Sequence, residues 1–183
     1  MNIMVDAEKY SIGRTLISRA EIRNRIRLMA RDINKDYSQK KLVVLVLLKG
    51  SFIFAADLLR AIKVDSSIDF VKVESYGRSM KQKKLIWSFK MTDDIEGRDV
   101  LLIDDIYDSG KTLYNVIKYI RSFKPATIKV CVLLQKRRNK RSRTRVPLDY
   151  RGFTVPDVFV VGYGLDFAGK YRNLPHIAEI VQK

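Results

Sequence analysis

An α/β fold, with a mostly parallel twisted sheet and helices on both faces, is what this chain of 183 residues predicts, and three observations carry the prediction. First, Leu42 to Leu48, Val100 to Ile103 and Thr127 to Leu134 are short, uniformly apolar runs. Strands buried on both faces of a parallel sheet read this way, whereas a surface helix would interleave polar positions. Second, apolar residues recur at helical spacing between these runs, as at Leu113, Val116, Ile117 and Ile120. Third, two of the strands end in turns of small, acidic or basic residues, Lys49-Gly50-Ser51 and Asp104 to Thr112. In open α/β sheets, ligands bind at such carboxyl ends.

The elements follow in order. Ser18 with Glu21 has the spacing of a capping box, and Ile22, Ile26, Met29 and Ile33 then form one stripe of a first helix. Arg19, Arg23, Arg25, Arg27 and Arg31 read as its solvated side. Leu42 to Leu48 is a strand followed by a helix around Phe54 to Ile62, and Ile68 to Val73 is another strand. Val100 to Ile103 passes through the acidic, glycine-containing turn into a helix from about Lys111 to Phe123, and Thr127 to Leu134 delivers Lys136 and Arg137 at its end. Phe159 to Val161 reads as a last short buried strand. Trp87 fits a strand face as well as any functional place, and His176, without Cys, His or acidic neighbours, reads as surface or packing.

A hydrophobic content of 46 % suits one globular domain spanning residues 1–183, with no linker or repeat. No apolar run approaches membrane-spanning length and the N-terminus lacks a signal-like segment, so a cytoplasmic protein without membrane contact is expected. Cys131, the only cysteine, lies in an apolar run and reads as a buried, inert thiol. The charge is uneven: 36 basic against 20 acidic residues give +16, and Ser109 to Leu148 contains no acid while Lys or Arg stands at 111, 118, 121, 124, 129, 136, 137, 138, 140, 141, 143 and 145. Such a field steers a polyanionic substrate or binds nucleic acid. The densest part, Lys136 to Arg145, reads as a solvated loop, with polyanion contact the alternative.

The chemistry concentrates in VLLIDDIYDSGKTL, Val100 to Leu113. Ser109, Gly110, Lys111 and Thr112 put backbone N–H groups and hydroxyls at a helix N-terminus, which attracts phosphate. Asp104 and Asp105 stand where they can accept hydrogen bonds from vicinal hydroxyls such as those of a ribose, directly or through a metal. Phosphate donors beside hydroxyl acceptors describe a sugar phosphate site. Two other readings lose. The Gly110-Lys111-Thr112 triplet occurs in nucleoside triphosphatase phosphate loops, but that motif requires glycine at 105, which is aspartate. A merely polar loop would set three carboxylates within five residues against one another without partners.

This stretch closely resembles the phosphoribosyl pyrophosphate (PRPP) signature of type I phosphoribosyltransferases. The resemblance implies that Asp104 and Asp105 hold the ribose hydroxyls, that Ser109 to Thr112 cradle the 5′-phosphate, and that Asp108 faces the incoming base. Leu48 to Phe52, LKGSF, resembles the family's pyrophosphate loop, making Lys49 and Gly50 ligands of the diphosphate. Ser75 and Tyr76 resemble the start of a flexible lid, which would exclude water from a reactive sugar cation. Bacterial relatives continue that lid with small residues, where this chain has Arg78, Met80, Lys81, Gln82, Lys83 and Lys84.

The remaining matches resemble the hypoxanthine-guanine group of the family. LLQKR implies that Lys136 donates to the purine 6-oxo group, which a 6-amino base cannot accept; read alone, Lys136 is one cation of a run. Pro156 to Pro175 resembles the base pocket: Phe159 would stack on the purine, Val160 would meet the ring edge through its backbone, Asp166 would lie near a second metal, and Arg172 would reach pyrophosphate. The matches run in family order from about Lys41 to Pro175. They imply the phosphoribosyltransferase fold with a small hood of terminal segments, and transfer of hypoxanthine or guanine to PRPP in purine salvage. They also imply Mg²⁺ at Asp104, Asp105 and Asp166, and a homodimer or homotetramer. Some proteins of this fold are regulators that bind RNA or DNA, and the +16 charge fits them. The pyrimidine-type regulator, however, resembles DDVLYTGRT, with tyrosine where this chain has Asp108 and arginine where it has Lys111. The purine-type residues at 108, 136 and 159 favour an enzyme, with xanthine as a further base to test.

Overall fold

The computed structural model describes residues 9–76, 84–88, 94–137 and 145–183. Along the chain come β1 (Tyr10–Ile17), α1 (Arg19–Asp36), β2 (Leu42–Leu48), α2 (Phe52–Ala61), β3 (Ser66–Tyr76), β4 (Lys84–Ser88), β5 (Asp99–Tyr107), α3 (Lys111–Arg121), β6 (Thr127–Lys136), β7 (Tyr150–Val155), β8 (Val160–Val161) and β9 (Ile177–Gln182). The main sheet has the order β4-β3-β2-β5-β6-β7. Strands β3, β2, β5, β6 and β7 are parallel, and β4 closes one edge antiparallel to β3. A second, antiparallel sheet, β1-β9-β8, is made of terminal segments and forms the expected hood. The α/β class with a hood is thus borne out.

Strand β2 is central because it is apolar on both faces: Leu42 to Val46 have no exposed surface, and Val46 lies beside Phe70 on one side and Ile103 on the other. Alternation of side chains splits this apolar run between two cores. Val44, Val46, Leu101 and Ile103 meet Ile22, Ile26, Met29 and Ile33 of α1 and Phe54, Ala55 and Leu58 of α2. Val43, Leu45, Val100 and Leu102 meet Leu113, Val116 and Ile120 of α3. Each fully buried Val, Leu, Ile or Phe contributes roughly 1.5–3 kcal/mol relative to exposure. Helices therefore cover both faces, as predicted.

The capping box at α1 is present: the Glu21 N–H donates to Ser18 Oγ at 3.3 Å, and the Ser18 N–H donates to the Glu21 carboxylate at 2.8 Å. At the other end of α1, Asp36 accepts from Lys129 Nζ at 2.7 Å and from the Tyr150 hydroxyl at 2.6 Å, tying the helix to β6 and β7. Arg25 also departs from the purely solvated reading, since its Nε donates to the carbonyls of Arg151 and Gly152, each at 3.1 Å. Cys131 is buried, and burial pushes its thiol well up, as an inert thiol requires. Among the described residues, no helix is long and apolar enough to cross a membrane.

The strands differ from expectation in three places. β5 runs on to Tyr107, because Asp104, Ile106 and Tyr107 continue the ladder beside Val132, Leu134 and Gln135, so both aspartates sit within the strand rather than in a turn. β8 begins at Val160, and Phe159, expected as part of a buried strand, is 52 % exposed. β1, β7 and β9 were not apparent as uniform apolar runs, since each alternates or is half exposed.

Candidate active site

At the carboxyl edge of the main sheet lies a cleft of two adjoining lobes. The larger, about 460 Å³, is lined by Lys49, Gly50, Asp105, Asp108, Lys136, Phe159, Val160, Asp166 and Arg172, with Leu48, Lys72, Ile106 and Leu165. The smaller, about 360 Å³, is lined by Asp104, Tyr107, Ser109, Gly110, Thr112, Leu47 and Leu113 together with Leu48, Lys49, Gly50, Asp105, Ile106 and Asp108, which belong to both. Residues predicted from four separate stretches thereby meet in one place. Lys111 lines neither lobe; its backbone N–H donates to Ser109 Oγ at 3.4 Å while its side chain is exposed.

The glycine turn is shaped by its neighbours. Gly110 caps α3 at φ 77°, and a Cβ there would come within 2.8 Å of the Tyr107 hydroxyl. Only glycine suits both demands. The Tyr107 hydroxyl in turn accepts from the Val146 N–H at 3.3 Å, so the ring supporting the turn is itself held.

Asp104, buried, and Asp105, half-buried, form an adjacent acid pair. The Asp105 N–H donates to Asp104 Oδ1 at 3.0 Å, and the Ile106 N–H donates to Asp105 Oδ1 at 2.8 Å. Burial, with the charge of Asp105 added, holds the Asp104 carboxyl well above the usual range, and burial raises Asp105 as well. A cation or hydroxyl donors placed between them would relieve that cost.

The Lys49-Gly50 loop reaches the pair directly. The Leu48–Lys49 peptide is cis, and a Cβ on Gly50 would fall 1.6 Å from Asp105 Oδ2, so glycine is what lets the loop rest on the carboxylate. Ser51 Oγ, fully buried, donates to the Leu47 carbonyl and closes the loop from behind. The hood packs on the same loop: a Cβ on Gly164, at φ 103°, would lie 2.0 Å from the Gly50 carbonyl oxygen. Arg172 Nη1 donates to the Gly164 carbonyl at 2.6 Å, and its Nη2 pairs with Asp166 Oδ1 at 2.5 Å. Asp166 also accepts from the Gly169 N–H at 2.8 Å.

On the hood side, Phe159 and Phe167 meet edge to face with ring centroids 5.2 Å apart, and Phe159 lines the cleft. Lys136 extends from the end of β6, 17 % exposed, with its Nζ 3.4 Å from Asp157. Residues 138–144 of the basic run lie outside the described residues. Ser75 and Tyr76 end β3, paired with Leu85 and Lys84 of β4. The lid segment that would follow, Arg78 to Lys83, lies outside the described residues. Sequence reasoning missed Lys72, Ile106 and Leu165 as lining residues. A lysine near the carboxyl end of a predicted parallel strand was the available signal for Lys72.

Among the described residues, no three Asp, Glu, His or Cys side chains converge as a metal cage. The paired carboxylates nonetheless fit Mg²⁺, a hard cation that takes one or two carboxylates and completes its shell with water and substrate phosphate oxygens.

Comparison with known proteins gives the geometry its context. The model of the phosphoribosyl transferase domain family matches residues 18–168. The hypoxanthine phosphoribosyltransferase of Escherichia coli K12 is 40 % identical over 169 residues, covering 91 % of this chain and 94 % of its own. The hypoxanthine-guanine phosphoribosyltransferase of Aquifex aeolicus is 43 % identical over 164 residues, covering 88 % and 91 %. A crystal structure of a hypoxanthine-guanine phosphoribosyltransferase from Bacillus anthracis superposes with a TM-score of 0.85 at 40 % identity, covering 94 % of this chain and 99 % of that one. With its glycine turn, acid pair and hood in the same order along the chain, this protein belongs to the phosphoribosyltransferase family, among the hypoxanthine-guanine phosphoribosyltransferases.

Proposed function

We propose that the two-lobed cleft transfers the phosphoribosyl group of PRPP to hypoxanthine or guanine, giving IMP or GMP and pyrophosphate in purine salvage. The observation that carries this reading is the position of Asp104 and Asp105 between the Ser109 to Thr112 turn and the Lys49-Gly50 loop. The acids suit ribose hydroxyls, the turn suits the 5′-phosphate, and Lys49 with Arg172 suits the diphosphate. Phe159 and Lys136 then suit the faces and the 6-oxo group of the purine, and the Val160 backbone its edge.

In the reaction, the bond from the anomeric carbon to pyrophosphate breaks and a bond to the purine imidazole nitrogen forms. Positive charge builds on the ribose as the leaving group departs, so cations near pyrophosphate and carboxylates near the ribose both favour the transition state. Asp108, shared by the two lobes, accepts the imidazole proton. Mg²⁺ held by Asp104 and Asp105 would neutralise charge on the diphosphate when bound; Asp166, paired with Arg172, would lie near a second ion. Ser75 and Tyr76 would begin the lid. A homodimer or homotetramer is also proposed, on the family resemblance.

An ultraviolet assay with PRPP, Mg²⁺ and one base at a time tests the proposal. Turnover of hypoxanthine and guanine but not adenine or uracil is expected, and xanthine shows how widely the pocket accepts 6-oxo purines. Absence of turnover with every base would overturn it. Light scattering of the purified chain tests the oligomer.

A further inference from the structure

We propose that the outer face of α3 binds single-stranded nucleic acid through Tyr114, Lys118 and Arg121, with Arg145 opposite them. This site stands apart from the substrate cleft and shares no lining residue with it. α3 buries Leu113, Val116 and Ile120 against the sheet, which leaves positions 114, 118 and 121 as one outward stripe at i, i+4 and i+7. Beside that stripe runs a groove of about 310 Å³, into which Arg145, Val146 and Pro147 project from the other side and Ile117 from the helix.

Three features of the groove select the partner. Lys118, Arg121 and Arg145 are exposed and, among the described residues, none of their side chains is in an ion pair. The nearby cations Lys124 and Lys129, by contrast, pair with Glu96 and Asp36. No acidic residue occurs in the sequence between Ser109 and Leu148, so α3 and the segment that supplies Arg145 contribute no negative side chain of their own. Finally, Tyr114 is 52 % exposed amid these cations, next to an apolar floor. An exposed aromatic flanked by cations matches a strand whose phosphates meet the charges while an unpaired base stacks on the ring. A duplex hides its base faces, so a single strand fits better.

The test is fluorescence anisotropy with a labelled oligouridine longer than the ~4–16 nucleotides that such sites cover, measured across a salt series. Wild-type protein should bind with an affinity that falls steeply as salt rises. Lys118→Gln with Arg121→Gln should weaken binding at least tenfold and flatten the log–log salt dependence by about 1.4, at roughly 0.7 per lost phosphate contact on a single strand. Tyr114→Ala should weaken RNA at least ~5-fold through lost stacking, yet leave binding of base-free polyphosphate unchanged. Thermal melting of each variant, read independently of activity, establishes that it is folded. RNA binding unaltered in the double variant, or unaltered by Tyr114→Ala, would overturn the proposal. So would tighter binding to phosphatidylserine vesicles than to RNA with the same residues required, since that would make the face a membrane contact.

Discussion

Asp104 is 9 % exposed and, among the described residues, has no ion-pair partner, so its charged form is held at a cost. Because its folded-state pKa is raised, the folded protein binds this proton more tightly than the unfolded chain. Its contribution is therefore most favourable below the ordinary value of 3.8 and is lost progressively as pH rises from there through the raised folded value. Asp104→Asn should accordingly raise the melting temperature of the ligand-free protein near neutral pH, have little effect near pH ~4, and weaken PRPP binding; calorimetric melts across that range measure it. At Gly50 the expected effect has the opposite sign for stability. A methyl group 1.6 Å from Asp105 Oδ2 cannot be accommodated without moving the loop or the acid. Gly50→Ala should cost about 1–3 kcal/mol as overpacking does and raise the KM for PRPP at least severalfold, which melting and steady-state kinetics would show.

The unit β5–turn–α3 was largely legible in the sequence, because an uninterrupted apolar run and a helical stripe are signals that tertiary context seldom overrides. The details that escaped share a cause: pairing with a neighbour decides them. β5 extends past Ile103 because β6 is long enough to pair with Asp104, Ile106 and Tyr107. β1 pairs with β9 across two register irregularities, a pattern no local period announces. Phe159 followed by two valines has the look of a strand, yet the Phe159 carbonyl accepts from Ile180 at 2.9 Å while its ring stays on the cleft side. The site residues were legible through motif order more than through local chemistry, and Lys72 carried no motif. At this scale Gly110→Ala is the informative change. It forces a non-glycine residue to φ 77° against the Tyr107 ring, at about 1–2 kcal/mol for the backbone conformation alone. Weaker binding of inorganic phosphate and of PRPP, seen by calorimetry, is the expected outcome.

Across the whole molecule, the hood shares the core of α1 and α2 through Ile17, Val160, Leu165 and Ile177, and is fixed to the elements after β2 by Gly164 on the Gly50 carbonyl and by the Tyr163 hydroxyl donating to Asp57 of α2. The base-side residues are thus registered against the loop proposed to hold pyrophosphate. Tyr163→Phe should cost about 1 kcal/mol, the usual worth of one hydrogen bond, and raise the KM for the purine while leaving inorganic phosphate binding intact; kinetics with phosphate competition separates the two. The central claim, that this assembly brings a purine to PRPP with Asp108 taking its proton, is tested most directly by comparing kcat for hypoxanthine in wild type and Asp108→Asn across pH. Loss of a positioned general base predicts a fall of about 10²–10⁴ in kcat, with PRPP binding by calorimetry preserved. An Asp108→Asn protein that turns over hypoxanthine as fast as wild type, with the same pH dependence, would contradict the account.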